Sequence, residues 1–301
     1  MDPLERVKTN KDTSYFLMLA AEQRGHEVFH LNPSQINVDQ GRVTANLTRV
    51  KVSEDGKHPF QVLSSGWEYL DIVDIVWIRT DPPVDRSYVY VTLLLDLLPS
   101  NVRVINKPSA IRDWNEKLSS LRYQDWIPRT LVARDIHSIE DFAKKFPRIT
   151  IKPIDGHGGI GIMFATVNDP AFREQIRVAT NNERHWMIVQ EYLEEAQEGD
   201  KRILLLNGQP LGAILRVHKK GLELNNLDQG GTAVASFLSD RDRAICAALK
   251  NDLRADGIIF AGVDVIGGLL IEINITSPTG LQEMTRFDRQ PYHHYIIQSL
   301  E

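Results

Sequence analysis

The chain has 301 residues, 42% of them hydrophobic and 25% charged, which is enough for two or three globular domains of ordinary composition. Its net charge of −5 gives no reason to expect nucleic acid or an anionic membrane as partner, and it has no apolar run long enough to cross a bilayer. Cys246 is the only cysteine, which excludes an internal disulfide and a cysteine-only metal site and favours a reducing, cytoplasmic location.

The first part of the chain alternates helices with apolar strands. Residues 12–24 have helical spacing that begins at the N-cap cluster Asp12-Thr13-Ser14 and ends at Gly25. Strands are predicted at 27–31, 72–78 and 102–105, and a leucine-rich helix at about 86–98. This alternation predicts an α/β layer on a mostly parallel sheet, which we assign to a first domain at 1–112.

The pattern changes after residue 112, and we expect a small domain at 113–188 and a C-terminal domain at 189–301. Helices are predicted at 114–126 and 239–256, and strands at 130–133, at 149–153 and on either side of the acidic turn Glu194–Asp200. Residues 218–236 are polar, rich in glycine and asparagine, and without periodicity, which predicts a mobile loop.

A predicted strand ends at Lys152 and is followed by a turn that contains four glycines within 156–161. Glycines let backbone N–H groups approach a phosphate closely, and the lysine supplies a positive charge. The spacing matches neither a Walker A loop nor a dinucleotide-binding fingerprint. The segment therefore predicts phosphate binding, with a purely structural hairpin as the alternative.

Three arginines, Arg79, Arg202 and Arg216, stand at the ends of predicted strands, where loops build sites. A guanidinium forms fork-like pairs with carboxylates, although any one of the three could equally belong to a surface ion pair. Lys117 lies at the first predicted domain junction, and Gln190–Leu193 ends an apolar strand where backbone groups could meet a purine edge.

The last predicted strand carries Glu272 and Asn274 on one face, with Ile271, Ile273 and Ile275 on the other. We expect the preceding turn, Ile266-Gly267-Gly268, to close as a three-residue loop, which puts Asp264 opposite Leu270 and on the face of Glu272. A two-residue loop would put Asp264 on the wrong face. Two carboxylates and an amide oxygen suit Mg²⁺, whereas the alternative is a surface hairpin with a solvated face.

Taken in order, these features resemble the ATP-grasp superfamily and, within it, the bacterial glutathione synthetases. The similar segments span nearly the whole chain and lie at 1–3, 11–14, 79–85, 106–108, 112–118, 152–159, 199–202 and 272–279. The resemblance implies an α/β chain with an ATP-grasp fold and an N-terminal Rossmann-like domain. It also implies a homodimer or homotetramer that uses ATP with Mg²⁺, or Mn²⁺, to join γ-glutamylcysteine and glycine through an acylphosphate into glutathione.

The resemblance also implies roles for individual residues. ATP would be held by Lys117, Lys152, Gly156, Gly158 and Gly159 at its phosphates, by Gln190, Glu191, Tyr192 and Leu193 at its adenine, and by Asp200 near its ribose. The metal would be bound by Asp264, Glu272 and Asn274, the last of which would also contact ATP. The catalytic arginines would be Arg79, Arg202 and Arg216, with substrate contacts from Arg79, Asp12, Ser14, Ser277 and Thr279.

The sequence departs from the family in two places. The family has a strand before its Met-Asp-Pro segment, and this chain begins at that methionine, so we expect the first strand to be absent from the N-terminal sheet. In the expected lid, at 218–236, Leu224 and Thr232 stand where the family has arginines. Two alternatives therefore stay open: a ligase for a different γ-glutamyl peptide or amino acid pair, and a non-catalytic ATP-binding homologue.

Overall fold

The computed structural model describes residues 1–218 and 231–301, and within these ranges no helix has the length and apolar character needed to span a membrane. The first helix begins where the sequence predicts it, because the Asp12 carboxylate accepts a hydrogen bond from the Tyr15 N–H at 2.9 Å and caps it. The helices of the N-terminal part are α1 (Thr13–Gln23), α2 (Arg86–Leu95) and α3 (Pro108–Asp113).

Two sheets make up the same part of the chain. Their strands are β1 (Val28–His30), β2 (Ile36–Asp39), β3 (Arg42–Val52), β4 (Phe60–Tyr69), β5 (Ile75–Trp77) and β6 (Arg103–Ile105). Strands β1, β2 and β4 all pair with β3 and are antiparallel to it, whereas β5 and β6 form a separate parallel pair.

The prediction of a mostly parallel sheet is wrong for this region, because residues 36–69 form antiparallel strands that the sequence analysis did not identify. Strands β2 and β3 are joined by Gln40-Gly41, whose φ angles of 47° and 81° are those of a tight hairpin turn. The predicted strands at 27–31, 72–78 and 102–105 are confirmed with shorter bounds. The expected absence of the family's first strand stays a prediction.

The region that follows contains a small antiparallel sheet. Its strands are β7 (Thr130–Ala133), β8 (Ile149–Pro153), β9 (Met163–Ala165) and β10 (Met187–Glu191), in the order β7-β10-β8-β9, and its helices are α4 (Ile136–Ala143) and α5 (Phe172–Ala179). Ile149 and Ile151 of β8 are fully buried against these helices, in a core shared with Val189. Because side chains alternate along a strand, Lys152 points to the opposite face.

The predicted helix at 114–126 is wrong: the described structure has only a short 3₁₀ turn, Leu118–Arg122. The Asn115 side chain accepts hydrogen bonds from the N–H groups of Lys117 and Leu118, at 3.0 and 2.9 Å. Such local side-chain bonds compete with the helical pattern of the main chain.

The C-terminal part is a five-stranded antiparallel sheet with three helices among the described residues. Its elements are β11 (Asp200–Leu206), β12 (Gln209–Val217), β13 (Thr232–Ala235), α6 (Asp240–Ala255), β14 (Phe260–Ile266), β15 (Leu269–Asn274), α7 (Leu281–Asp288) and α8 (Tyr292–Gln298). The strand order is β13-β12-β11-β14-β15. The helix at 239–256 is confirmed. Three strands, not two, occupy 186–217, because Asn207-Gly208 turns the chain between β11 and β12.

The predicted mobile loop at 218–236 lies largely outside the described residues. At its C-terminal end the prediction is wrong, since β13 pairs with β12 there. The N-terminal and C-terminal parts share one core, which includes Leu47, Leu70, Leu249 and Ile273. Residues of the five-stranded sheet and of the small sheet line one cleft, which contains the candidate site.

Candidate active site

The hairpin that carries the predicted metal ligands closes differently from the prediction. Its loop is the two-residue turn Gly267-Gly268, with φ of 57° and 75°, and not a three-residue loop. Asp264 lies opposite Glu272, and not opposite Leu270, because the pairing shifts by one residue after Asp264. This bulge adds one residue to β15 and returns Asp264 to the predicted face.

The bulge also changes which side chains of β15 face the core. Leu270 and Ile273 are fully buried, whereas Ile271, predicted to face the core, lines the cleft. On the cleft side, the Asn274 amide lies 3.3 Å from Asp264 Oδ2. Asp264, Glu272 and Asn274 thus do share one face, as the alternation of the strand predicts.

Two arginines from neighbouring strands neutralise Asp264. Arg202, directly opposite on β11, donates from Nε and Nη2 to the two Asp264 oxygens at 2.5 and 3.0 Å. Arg216 of β12 bridges Asp264 and Asp200, with Nη2–Oδ2 distances of 2.9 and 2.5 Å. Gly262 makes room for Arg202, since a Cβ there would lie 3.1 Å from Arg202 Cδ.

Burial and neighbouring charges shift the pKa values of Asp264, Asp200 and Glu272 in different directions. Burial by itself raises the pKa of Asp264, but the adjoining Arg202 and Arg216 outweigh it and hold that pKa far below the ordinary value. Burial raises the pKa of Asp200, with Arg216 opposing the shift. The pKa of Glu272 is also raised by burial, with Lys117 opposing the shift and Asp264 adding to it.

The two predicted phosphate lysines meet beneath the glycine-rich turn. Lys117 and Lys152 are both buried, and the Lys117 ammonium donates a hydrogen bond to the Gly156 carbonyl. Burial lowers the pKa of Lys152 to about 8, helped by the charge of Lys117 and opposed by Glu272. Two buried ammonium groups thus line the cleft beside the glycine-rich turn, with Glu272 close to both, and together they could face a phosphate group.

The predicted adenine segment at 190–193 lines the same cleft, but its first two side chains have structural partners. Gln190 donates to Thr130 Oγ1 at 2.9 Å, and the Glu191 carboxylate accepts from the Arg129 N–H at 2.8 Å. The Tyr192 ring meets the edge of Phe164, with ring centroids 5.5 Å apart. An aromatic and aliphatic wall for a base therefore comes from Tyr192, Phe164 and Leu193.

One cleft collects most of the predicted site. It is lined by Lys117, Lys152, Gly156, Gly158, Gly159, Gln190, Glu191, Tyr192, Leu193, Asp200, Arg202, Arg216, Asp264, Glu272, Asn274, Ser277 and Thr279. The remaining predicted residues, Arg79, Asp12 and Ser14, line a second cavity. Asp81 and Thr279 line both, so the two cavities adjoin.

Arg79 is the buried cation of the second cavity. Its Nε donates to Ser14 Oγ at 3.0 Å and its Nη2 to the Pro278 carbonyl at 3.1 Å, whereas Nη1 is buried without a hydrogen-bond partner among the described residues. Asp12 caps α1. Sequence reasoning missed Asp81, which accepts from Ser277 Oγ at 2.5 Å, and Glu116, which lines the cleft. Both residues lie inside segments that carry the family resemblance, at 79–85 and 112–118, and their place in those segments could have identified them as site residues.

The oxygen donors of the hairpin fit a hard divalent cation. No three His, Cys, Asp or Glu side chains gather into a metal-like cluster in residues 1–218 and 231–301, so a metal here would combine Asp264 and Glu272 with the amide oxygen of Asn274. The two Asp264 oxygens already take two contacts from Arg202, one from Arg216 and one from the Asn274 amide, which together match the roughly four acceptor positions of a carboxylate. A cation bound by Asp264 would therefore replace one of these contacts, and the Asn274 amide, at 3.3 Å, makes the longest of them.

Comparisons with known proteins agree along the whole chain. The family model for the prokaryotic glutathione synthetase N-terminal domain matches residues 1–112, and that for the ATP-grasp domain of the same enzymes matches 116–289. The chain is 39% identical over 302 residues to the glutathione synthetase of Parasynechococcus marenigrum, covering 100% of this chain and 97% of that protein. It is 40% identical over 295 residues to that of Gloeobacter violaceus, covering 96% and 91%.

Solved structures show the same fold at low sequence identity. The ATP-grasp ligase PsnB, complexed with the precursor peptide PsnA2 and AMPPNP, matches with a TM-score of 0.61 and 15% identity, covering 99% of this chain and 95% of that one. The macrocyclase MdnC from Microcystis aeruginosa, bound with the precursor peptide MdnA, matches with a TM-score of 0.62 and 16% identity, covering 98% and 96%. At this identity the matches establish the ATP-grasp fold alone.

Proposed function

The chain belongs to the prokaryotic glutathione synthetase family and is therefore an ATP-dependent ligase of glutathione synthesis. We propose that the cleft lined by its small sheet and its five-stranded sheet carries out that reaction. ATP phosphorylates the cysteinyl carboxylate of γ-glutamylcysteine, and the glycine amine attacks the acylphosphate to give glutathione, ADP and phosphate. The observation that supports this assignment is the convergence of Lys117, Lys152, Arg202 and Arg216 on one cleft with the acids of the hairpin.

Phosphoryl transfer requires positioning and charge neutralisation more than covalent help from the protein. Lys117 and Lys152 hold the ATP phosphates, and the backbone at Gly156, Gly158 and Gly159 lies against them. Tyr192 and Leu193 contact the adenine, and Asp200 lies near the ribose. Because Lys152 is buried, its charge acts on the phosphates with little screening by water.

The family uses ATP and a divalent metal, and we assign the metal as Mg²⁺, with Mn²⁺ as a substitute. Asp264, Glu272 and Asn274 would hold it, and when bound it supplies positive charge beside the phosphates. Arg202 and Arg216 are preorganised by their contacts with Asp264, so their remaining donors can face the charge that develops on the transferred phosphoryl group.

The second cavity receives the peptide substrate. Arg79 lines this cavity beside Ser14, and its guanidinium would pair with a peptide carboxylate through Nη1 once a local shift exposes this buried nitrogen. Ser277 and Thr279 line the passage to the cleft, where the cysteinyl carboxylate must reach the γ-phosphate. A guanidinium whose other nitrogens are already bonded is held rigidly, which favours recognition of one carboxylate position.

A second candidate is the same ligase chemistry on a different γ-glutamyl peptide or amino acid pair. It is favoured by Thr232, which stands in β13 where the family has an arginine. Leu224, the other departure, lies outside the described residues. The non-catalytic alternative has no support in the site, because Lys152, Glu272 and Asn274 are all present and line the cleft.

We further propose that the enzyme is cytoplasmic and forms a homodimer or homotetramer, with the domains bounded at 112 and 188. A dimer surface is supported by the exposed apolar side chains of β4, where Val62 and Trp67 are 59% and 53% exposed. Strand β4 pairs with β3 on one edge only among the described strands, and long exposed edge strands are usually covered by another chain or element.

The test is phosphate release from ATP and Mg²⁺ with γ-glutamylcysteine, with and without glycine, and identification of the product by mass spectrometry. We expect phosphate release that depends on both substrates and matches the amount of glutathione formed. Turnover with other amino acids or γ-glutamyl peptides, but not with this pair, would establish the second candidate instead. ATP binding without turnover on any pair would refute both.

A further inference from the structure

The segment that follows the metal hairpin, residues 275–279, connects the two cavities. Its Pro278 carbonyl accepts a hydrogen bond from Arg79 at 3.1 Å, and its Thr279 carbonyl accepts one from Arg202 at 3.3 Å. It begins directly after Asn274, the last predicted metal ligand. A shift of this segment would therefore move a metal ligand and the contacts of two arginines together.

A single carboxylate oxygen holds the start of that segment. Glu116 Oε1 accepts hydrogen bonds from the Ile275 N–H, the Thr276 N–H and Thr276 Oγ1, at 2.8, 3.0 and 2.9 Å. The main-chain carbonyl of Glu116 also accepts from the Ile273 N–H at 2.8 Å. Glu116 thus contacts β15 and its extension on both sides of Asn274.

The residues on either side of Glu116 bind the glycine-rich turn. Asn115 donates from Nδ2 to the Ile154 carbonyl at 3.0 Å, and Lys117 donates to the carbonyl of Gly156. The Asn115 side chain also accepts a hydrogen bond from the Lys117 N–H, which helps to fix the main chain of residues 115–117. Three consecutive residues therefore join the phosphate-binding turn of the small sheet to the metal strand of the large sheet.

We propose that Glu116 is a positioning residue for the ligase reaction, which acts as a hydrogen-bond acceptor and neither as a metal ligand nor as a proton carrier. Its Oε1 sets the position of Asn274 and of residues 275–279 relative to the glycine-rich turn. Its Oε1 already accepts three hydrogen bonds, and this acceptor role needs no negative charge, whereas a metal ligand would need the charge of the carboxylate. This inference rests on the proposed function of the cleft.

The test compares Glu116→Gln with Glu116→Asp. The Gln side chain loses the charge but keeps an acceptor oxygen at the same distance from the main chain, whereas Asp keeps the charge but withdraws its oxygens by one methylene. We expect Glu116→Gln to retain kcat within about threefold and Glu116→Asp to lose roughly 100-fold, since a misplacement of about 1 Å can cost that much. The dissociation constant for ATP should change little in either variant.

Two further measurements separate positioning from general stability. Hydrogen exchange at the Ile275 and Thr276 amides should accelerate in Glu116→Asp and not in Glu116→Gln. Asp135→Ala is the matched control, because Asp135 caps α4 through the Ser138 N–H at 2.8 Å, away from the cleft. That variant should lower the melting temperature and leave kcat unchanged.

Any ranking other than Gln above Asp overturns the proposal. An active Asp variant with an inactive Gln variant would show that the charge matters, as for a metal ligand. If both variants keep the wild-type kcat, or if both lose kcat equally, Glu116 does not act as a positioning hydrogen-bond acceptor. Failure of the proposed function would look different, because the wild-type enzyme itself would then not form glutathione.

Discussion

Replacement of Lys152 by Met tests the assignment of the phosphate site most directly. Met has a similar length and no charge, so Lys152→Met removes the ammonium without opening a cavity in a side chain that is only 6% exposed. The buried ammonium is already destabilised by loss of water and by Lys117, which is why its pKa is about 8. A bound phosphate would restore the lost stabilisation of the charge.

The magnitude follows from the burial of the contact. A charge-assisted hydrogen bond to phosphate contributes about 1–3 kcal/mol, which corresponds to a rise in the ATP dissociation constant of roughly 5–150-fold in Lys152→Met. We place the expectation in the upper half of this range because Lys152 has little exposure to screening water. Lys117 still contributes, so binding should weaken without disappearing.

The pH dependence separates this effect from a general loss of structure. Above pH 8 the free Lys152 amine is neutral and must take up a proton to bind the phosphate. Wild-type affinity for ATP should therefore fall as the pH rises from about 7.5 to 9.5, by up to about tenfold per pH unit, and the slope should be absent in Lys152→Met.

The assay is isothermal titration calorimetry with ATP, in two buffers of different ionisation enthalpy, at several pH values in that range. Proton uptake on binding should appear for the wild type above pH 8 and not for the variant. Unchanged ATP affinity in Lys152→Met, or the same pH slope in both proteins, would refute the assignment of Lys152 to the phosphates.

Three other predictions address the hairpin, the arginine network and the second cavity. Glu272→Gln should reduce metal-dependent turnover by more than about 100-fold with an unchanged circular dichroism spectrum, and full activity would exclude this hairpin from the mechanism. Arg216→Met should lower the free energy of unfolding in urea at pH 7 by about 3 kcal/mol, because the buried Asp200 carboxylate loses its ion-pair partner. This loss of stability should become smaller as the pH falls and Asp200 is protonated. An unchanged free energy of unfolding would mean that the ion pair does not contribute to folding. Arg79→Lys should raise the KM for γ-glutamylcysteine roughly tenfold while the dissociation constant for ATP is unchanged, since a point charge does not reproduce the guanidinium fork, and a normal KM would separate the second cavity from the peptide.

The hairpin shows where sequence reasoning succeeded and where it did not. Alternation placed Glu272 and Asn274 on one face, and this is confirmed. The loop length was wrong, because two adjacent glycines with positive φ close the turn without Ile266. The compensating bulge depends on distant partners: the Leu270 N–H bonds to the Trp126 carbonyl at 2.7 Å, and the Ile273 N–H bonds to that of Glu116. Neither contact is visible in local periodicity.

The antiparallel sheet of residues 36–69 is a similar case. Its strand β4 is exposed along most of its length, so it lacks the apolar alternation that identifies a half-buried strand. The segment at 114–126 failed for the opposite reason. It has helical spacing, but Asn115 and Glu116 bind main-chain groups of their own and of other segments.

The sequence by itself determined the local features of this enzyme. The cap of α1, the strand that ends at Lys152, the glycine-rich turn and the order of the motifs all follow from residue types within a few positions of one another. These features were also sufficient for the family resemblance, which implied the chemistry that the comparisons support.

Only the tertiary structure decided how those features meet. Arg216, Arg202 and Asp264 come together because three antiparallel strands align in one register, with Arg216 opposite Asp200 and Arg202 opposite Asp264. Register between strands depends on contacts across the whole sheet, and a shift of one residue would turn each of these side chains to the other face. The sequence therefore specifies the charged groups, and the pairing of distant strands determines which of them neutralise each other and which remain available for ATP.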